Sequence, residues 1–228
     1  MESLMKKDLV EVINRQRSGT LAEYTAEPNV ITEDIEDKVF DIVDGKGTTV
    51  TIKRNAGEGT ATYFNGDEQH VYKLRFIRYE DYLNQFEKWT KGLGRADYIV
   101  YDCSGSNAHF IIHELSDGKV GSKLSKARTQ LFATLHLLFD APRIKAFIES
   151  FSNKTCVLTA GSAPVCSSNG MADGFNQIYN MLPDPIPINA KLITNRGFKA
   201  FETRNRSEEH TSELQSHHDL VCRHLLEK

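Results

Sequence analysis

No apolar run in the chain approaches the ~18 residues that a membrane-spanning helix needs, so membrane insertion through a helix is not expected. The opening stretch, MESLMKKDLVEVINRQ, has only a short apolar patch. It lacks the apolar h-region and the small-residue cleavage site of a secretory signal. Together these absences predict a cytoplasmic protein with no membrane partner. Cysteine is scarce: Cys103, Cys156, Cys166 and Cys222 are scattered, with no C-x-x-C pair. That argues against a disulfide framework and predicts buried or inert thiols. There is no P-loop spacing and no G-x-S-x-G, so neither a phosphate cradle nor a nucleophile elbow is indicated. Ser162, Ser167 and Ser168 in GSAPVCSSNG read as loop residues. Internal repeats and low-complexity tracts are also missing, and 39% hydrophobic with 26% charged residues is the composition of a globular domain.

An excess of one charge is absent too, with 28 Lys+Arg against 31 Asp+Glu. Part of that balance belongs to a foreign segment. Residues 206–228, RSEEHTSELQSHHDLVCRHLLEK, hold four of the eight histidines. His210, His217, His218 and Cys222 suggest zinc at face value. The string instead resembles an in-frame translation of a common sequencing-library adapter. RSEEHTSELQS matches one half, and LVCR with its following leucines matches the other, with His224 in place of a leucine. The expectation is a natural domain over 1–205, cut short at its C-terminus, and a non-native tail over 206–228 that takes no part in the fold. Without the tail's three Lys+Arg and five Asp+Glu the charges are 25 against 26, which says little about partners.

Within 1–205 the pattern alternates between helix and strand. Residues 3–16 predict a helix with Leu4, Leu9, Val10 and Ile13 on one stripe. ITEDIEDKVFDIVDGKG predicts a short helix ending at Gly45–Gly47. TTVTIKR (48–54), GTATYFN (59–65) and HVYKLRFI (70–77) read as strands of a meander. A helix is expected from about 79 to 91, stopped by Gly92. A hairpin over 97–115, helices at 121–139 and 142–152, and a buried strand at 154–160 follow. MADGFNQIYNML reads as a further helix, and AKLITNRGFKAFE as the start of a strand pair. Hairpin, two helices, strand is the order of an α/β sandwich, with helices packed on a mixed central sheet. Strand, helical crossover and strand would make a right-handed connection.

The hairpin, ADYIVYDCSGSNAHFIIHELS (96–116), carries the chemistry. Symmetric pairing across the turn CSGSNA sets 102 against 109, 100 against 111 and 97 against 114. One face is then Asp97, Ile99, Tyr101, Phe110, Ile112 and Glu114. The other is Tyr98, Val100, Asp102, His109, Ile111 and His113. Directly opposed residues have Cβ atoms about 5 Å apart, which lets Asp97 and Glu114 share one hard divalent ion such as Mg²⁺. Without a cation the two carboxylates repel. His109 and His113 share a face, but four residues of strand separate their Cα atoms by about 13 Å, too far for one metal. They read as surface or second-layer residues. Asp102 and His109 are opposed and suit a polar pair.

The pattern ADYIVYD…FIIHELS resembles the PD-(D/E)XK nuclease superfamily over about residues 80–160, as helix, hairpin, helix and strand. The resemblance implies a restriction-endonuclease-like α/β fold. It implies Asp97 and Glu114 as ligands of Mg²⁺ or Mn²⁺, with Ala96 where the family has proline. Ser116 stands where the family has lysine. Substitutes for the missing cation are Lys123 and Lys126, joined by Gln130 at helical spacing beside the apolar stripe of Leu124, Ala127, Leu131, Leu135 and Leu138. Lys119 and Arg95 are further candidates, and Glu80 or Glu87 is a candidate third carboxylate. The expected activity is metal-dependent phosphodiester hydrolysis of nucleic acid, DNA before RNA, in a prokaryotic defence or DNA-processing system. The alternative is an inactive nuclease-fold module that binds nucleic acid or protein. A third reading is a structural domain whose acid pair is a strand-end ion pair with Arg95 or a lysine.

Overall fold

The computed structural model describes residues 1–16, 22–43, 51–53, 59–66, 70–86, 88, 90–116, 120–160 and 186–204. A seven-stranded mixed sheet forms the centre, in the order β1-β5-β6-β7-β8-β10-β9. Its strands are β1 (Thr32–Ile35), β5 (Leu74–Arg78), β6 (Tyr98–Asp102), β7 (His109–Ser116), β8 (Asn153–Ala160), β10 (Lys199–Arg204) and β9 (Ile186–Pro187). From β1 through β5 and β6 to β7 each pair is antiparallel, β7, β8 and β10 are mutually parallel, and β9 is antiparallel to β10. The parallel step from β7 to β8 requires a crossover. It is supplied by α4 (Val120–Phe139) and α5 (Pro142–Glu149).

Helices cover one face of this sheet. Ile77, Ile99, Tyr101, Phe110, Ile112, Cys156 and Leu158 pack there against Leu131, Leu135 and Leu138 of α4 and Ile144 and Ile148 of α5. The other face is covered by a three-stranded sheet, order β3-β2-β4, built from β2 (Val39–Val43), β3 (Thr51–Lys53) and β4 (Ala61–Phe64). Phe40, Ile42 and Tyr63 of the small sheet pack on Leu74, Phe76, Val100 and Ile111 of the large one. Both faces of β6 and β7 are therefore buried, and all eight residues of β7 are buried. Among the described residues no helix is long and apolar enough to cross a membrane.

Several expectations are corrected. The segment expected as a helix after residue 31 forms β1 and β2 instead. Val39, Phe40, Ile42 and Val43 are β-branched or aromatic, and pairing with β5, β3 and β4 outweighs the helix-like spacing. The three following strands are not a meander: β3 and β4 both pair with β2, and β5 joins the large sheet. The helix expected to reach 91 is α3 (Tyr79–Asn84). Beyond it Gln85 spends its side chain on the Asn29 backbone, and Thr90 Oγ1 donates to the Phe86 carbonyl. Such side-chain bonds offer the backbone an alternative to the helix. The expected strand pair from residue 190 opens with a helical turn, α6 (Lys191–Thr194), before β10. The helix expected in MADGFNQIYNML lies outside the described residues.

The N-terminal helix spans α1 (Glu2–Leu4), a π-helical segment (Met5–Leu9) and α2 (Val10–Gln16). The wider π turn shifts the apolar stripe. Met5, Leu9, Val12 and Ile13 are the buried positions, while Leu4 and Val10 are only half-buried. The Tyr82 hydroxyl donates to the Met5 carbonyl at 2.7 Å, tying this helix to α3.

Candidate active site

Strands β6 and β7 pair in the expected register, Tyr98 with His113, Val100 with Ile111 and Tyr101 with Phe110. The paired stretch ends at Tyr98 with His113, so Asp97 stands one residue before β6 and Glu114 one residue past that stretch, on the helical face with Ile112. Asp97 is half-buried in the bend that enters β6. Its carbonyl accepts from Tyr79 N at 2.9 Å and from Glu80 N at 3.3 Å, so the first turn of α3 docks on it. Its Oδ2 accepts from Leu115 N at 2.6 Å. The Asp97 carboxylate thus reaches the peptide that joins Glu114 to Leu115. Glu114 is 6% exposed, and its neighbour on β8 is Leu158. Ser116 ends β7 opposite Ala160.

Helix α4 holds the approach to Asp97. Gln130 Nε2 donates to the Arg95 carbonyl at 3.0 Å, and one turn on Thr134 Oγ1 accepts from Ala96 N at 2.9 Å. Gly94 lies so close that a Cβ there would be 3.0 Å from Gln130 Cα. Residues 94–96 are pinned to the helix immediately before the first carboxylate. Thr134 carried no local sequence signal, because its partner is 38 residues away.

The remaining candidates divide. Lys126 is exposed on α4. Arg95 Nη1 donates to Asn84 Oδ1 at 2.6 Å, which turns it toward α3. Glu80 is exposed on the first turn of α3. The side chain of Lys123, and Lys119 and Glu87 entirely, lie outside what is described. Among the described residues no group of three or more His, Cys, Asp or Glu is assembled for a metal ion.

The two histidines of β7 are not surface residues. Tyr63 of the small sheet lies against His113 and Tyr72, between β4 and β5, against His109, and the two histidines are 0% and 1% exposed. Burial pushes the His113 ring down to about 3. Burial pushes His109 down to about 4, against the opposing pull of Asp102. His109 meets the Tyr72 ring edge-to-face at 4.9 Å. The polar pair expected between Asp102 and His109 does not form. Asp102 closes the hairpin turn instead, accepting from Ser104 N at 2.8 Å, Ala108 N at 3.1 Å and the Ser106 hydroxyl. Burial raises the Asp102 pKa, but these bonds outweigh it and hold the carboxyl below its ordinary range. Gly105 (φ 100°) and Asn107 (φ 49°) supply the left-handed backbone that the turn requires.

His113 instead joins a polar chain across four strands that sequence reasoning did not find. Tyr63 Oη lies 2.6 Å from His113 Nδ1, and His113 Nε2 lies 2.7 Å from Thr159 Oγ1. Thr159 Oγ1 lies 2.7 Å from Thr203 Oγ1, which donates to the Leu158 carbonyl at 3.5 Å.

No family model matches the chain, and neither a curated protein nor a solved structure matches it.

Proposed function

We propose that the protein is a metal-dependent nuclease of restriction-endonuclease-like fold, with Asp97 and Glu114 as its metal ligands and Mg²⁺ or Mn²⁺ as its cofactor. The observation that carries this reading is the Asp97–Leu115 bond, which draws one carboxylate onto the peptide of a second, buried carboxylate at the same strand end. Two carboxylates at one strand end form a hard oxygen donor set, and that set fits Mg²⁺ or Mn²⁺. A bound divalent ion would lower the pKa of its water and polarise a phosphoryl oxygen. Lys126, with Lys123, would offset charge developing on the phosphate. Gln130 and Thr134 hold the backbone before Asp97, a positioning role. The proposed partner is nucleic acid, DNA before RNA, bound through salt-dependent phosphate contacts.

The second reading is an inactive module of the same fold that binds nucleic acid or protein. Ser116 in place of lysine supports it, as does the use of Asp97 Oδ2 on a backbone N–H. The two readings separate in one experiment. The full chain is incubated with labelled DNA and RNA, with Mg²⁺, with Mn²⁺ and with EDTA. The nuclease reading expects metal-dependent cleavage that is lost in Asp97→Ala and in Glu114→Ala. Binding without cleavage, equal in wild type and both variants, would establish the inactive module.

A further inference from the structure

We propose that the outer face of α4, with α6 beside it, is a docking surface for the phosphate backbone of a nucleic acid, held by Lys126, Arg128, Lys191 and Arg196. The observation behind it is a segregation of charge. Residues 1–205 are close to neutral, with 25 Lys+Arg against 26 Asp+Glu, so a basic cluster is not the by-product of an overall excess. Yet α4 carries no carboxylate along its whole length, and neither do residues 186–201, which include α6. The two elements pack against each other. Ion pairs gather elsewhere: Lys6 with Glu27, Arg75 with Asp34 and Glu2, Arg78 with Asp81. Among the described residues none of the four proposed cations is in an ion pair.

The cations occupy both flanks of the exposed surface of α4. Arg128, Phe132 and His136 follow at four-residue spacing on one flank, and Lys126 and Gln130 on the other. The Arg196 guanidinium lies over the Phe132 ring, 4.9 Å from its centroid. Its Nη1 donates to the Leu192 carbonyl at 2.7 Å, which fixes it beside α4 without neutralising it. Arg128 Nε is shielded from solvent and meets no acceptor among the described residues. Cations gathered without carboxylates repel one another, and an anion relieves that repulsion. Between the flanks stand Ser125 and Thr129, exposed side chains short enough to let a phosphate approach.

Charge complementarity thus selects a polyanion. A lipid surface would need an apolar stripe beside the cations. Among the described residues α4 exposes no large apolar side chain, and α6 exposes Leu192 alone. Gln130, on the Lys126 flank, bonds the Arg95 carbonyl two residues before Asp97, so the face runs toward the acid pair. Feeding that pair rests on the nuclease reading; the basic face does not.

Fluorescence anisotropy of a short labelled DNA duplex of arbitrary sequence, titrated with the full chain in EDTA, reads the contact. Four phosphate contacts should weaken binding about 150-fold between about 50 and 200 mM salt. Each of Arg128→Gln, Lys191→Gln and Arg196→Gln should weaken binding and lower the salt slope by about 0.9. Lys191 is exposed, so its exchange spares the core, and Arg196→Lys keeps the charge and should keep the slope. Lys73→Gln, on a cation held by Asp34 and Glu36 near the opposite edge of the large sheet, should change neither. No binding at the lower salt, or a slope unchanged in all three variants, overturns the proposal. Phosphatidylserine vesicles run in parallel; binding to them alone, weakened by the same variants, overturns it in favour of a membrane. Mg²⁺-dependent cleavage with KM unchanged in the three variants sinks the docking face and leaves the nuclease reading. Binding through the face with no cleavage in Mg²⁺ or Mn²⁺ supports the face and sinks the nuclease reading.

Discussion

Two imidazoles sealed in an apolar interior make stability depend on pH in a window where few other groups titrate. In the unfolded chain a histidine titrates near 6.5, whereas burial holds His113 near 3 and His109 near 4 in the fold. The folded state therefore binds fewer protons than the unfolded one below neutrality. By linkage, stability is complete above the unfolded pKa and falls as pH drops through it. The fall continues until the folded protein itself takes up the proton, at about 4 and then about 3. Between pH 7 and pH 5 each ring contributes a loss of roughly 2 kcal/mol, or roughly 4 kcal/mol for the pair. That is a large share of the 5–15 kcal/mol of a typical domain. Asp34 and Asp102 have lowered pKa values, so their contributions are lost only at more acid pH.

Urea unfolding of wild type and His109→Leu at the two pH values tests this. Neither ring nitrogen of His109 has a hydrogen-bond partner among the described residues, although both are buried. Exchanging the ring for an apolar side chain of similar volume should be stabilising by about 1 kcal/mol at pH 7, since a buried unsatisfied polar group is costly. At pH 5 the advantage should widen by roughly 2 kcal/mol, because the variant no longer carries that linkage. An equal gap at both pH values would refute a buried neutral His109. A wild-type stability that is flat from pH 7 to pH 5 would refute the same reasoning for both rings.

Two further substitutions test the packing around the site. Thr134→Val removes the acceptor of the buried Ala96 N–H while keeping the side chain's shape, and should cost about 1–3 kcal/mol in denaturant unfolding, with Thr134→Ser close to wild type. Gly59→Ala would set a Cβ 2.4 Å from Asp41 Cβ and 2.7 Å from the Ile42 carbonyl, in the segment where Gly59 N donates to Asp41 Oδ2. A loss of about 1–3 kcal/mol from overpacking is expected, visible as a lowered Tm.

The hairpin was legible because its information is local. Alternating apolar residues on both sides of a short polar turn leave one symmetric register, and the strands pair in it from Tyr101 with Phe110 to Tyr98 with His113. The crossover α4 and α5 was legible for the same reason, an apolar stripe at helical spacing and a proline at the start of the second helix. The small sheet was not, because β2 reads equally as an amphipathic helix until β3 and β4 pair with it from either side. The full burial of His109 and His113 was not legible for the same reason: with no second sheet expected over Tyr98, Val100 and Ile111, they read as surface or second-layer residues.

The sequence by itself determined the α/β class, the strand pairing at the hairpin and the residue types that meet at its open end, since these depend on neighbours a few positions apart. Tertiary structure alone decided what surrounds them. It packed a second sheet on the face opposite the carboxylates. It turned Arg95 to Asn84 and Gln130 to the Arg95 backbone. It joined Tyr63, His113, Thr159 and Thr203 across sequence gaps of 44 to 50 residues. A buried polar atom takes whichever partner the packed layers bring within about 3 Å, and no periodicity along the chain encodes that choice.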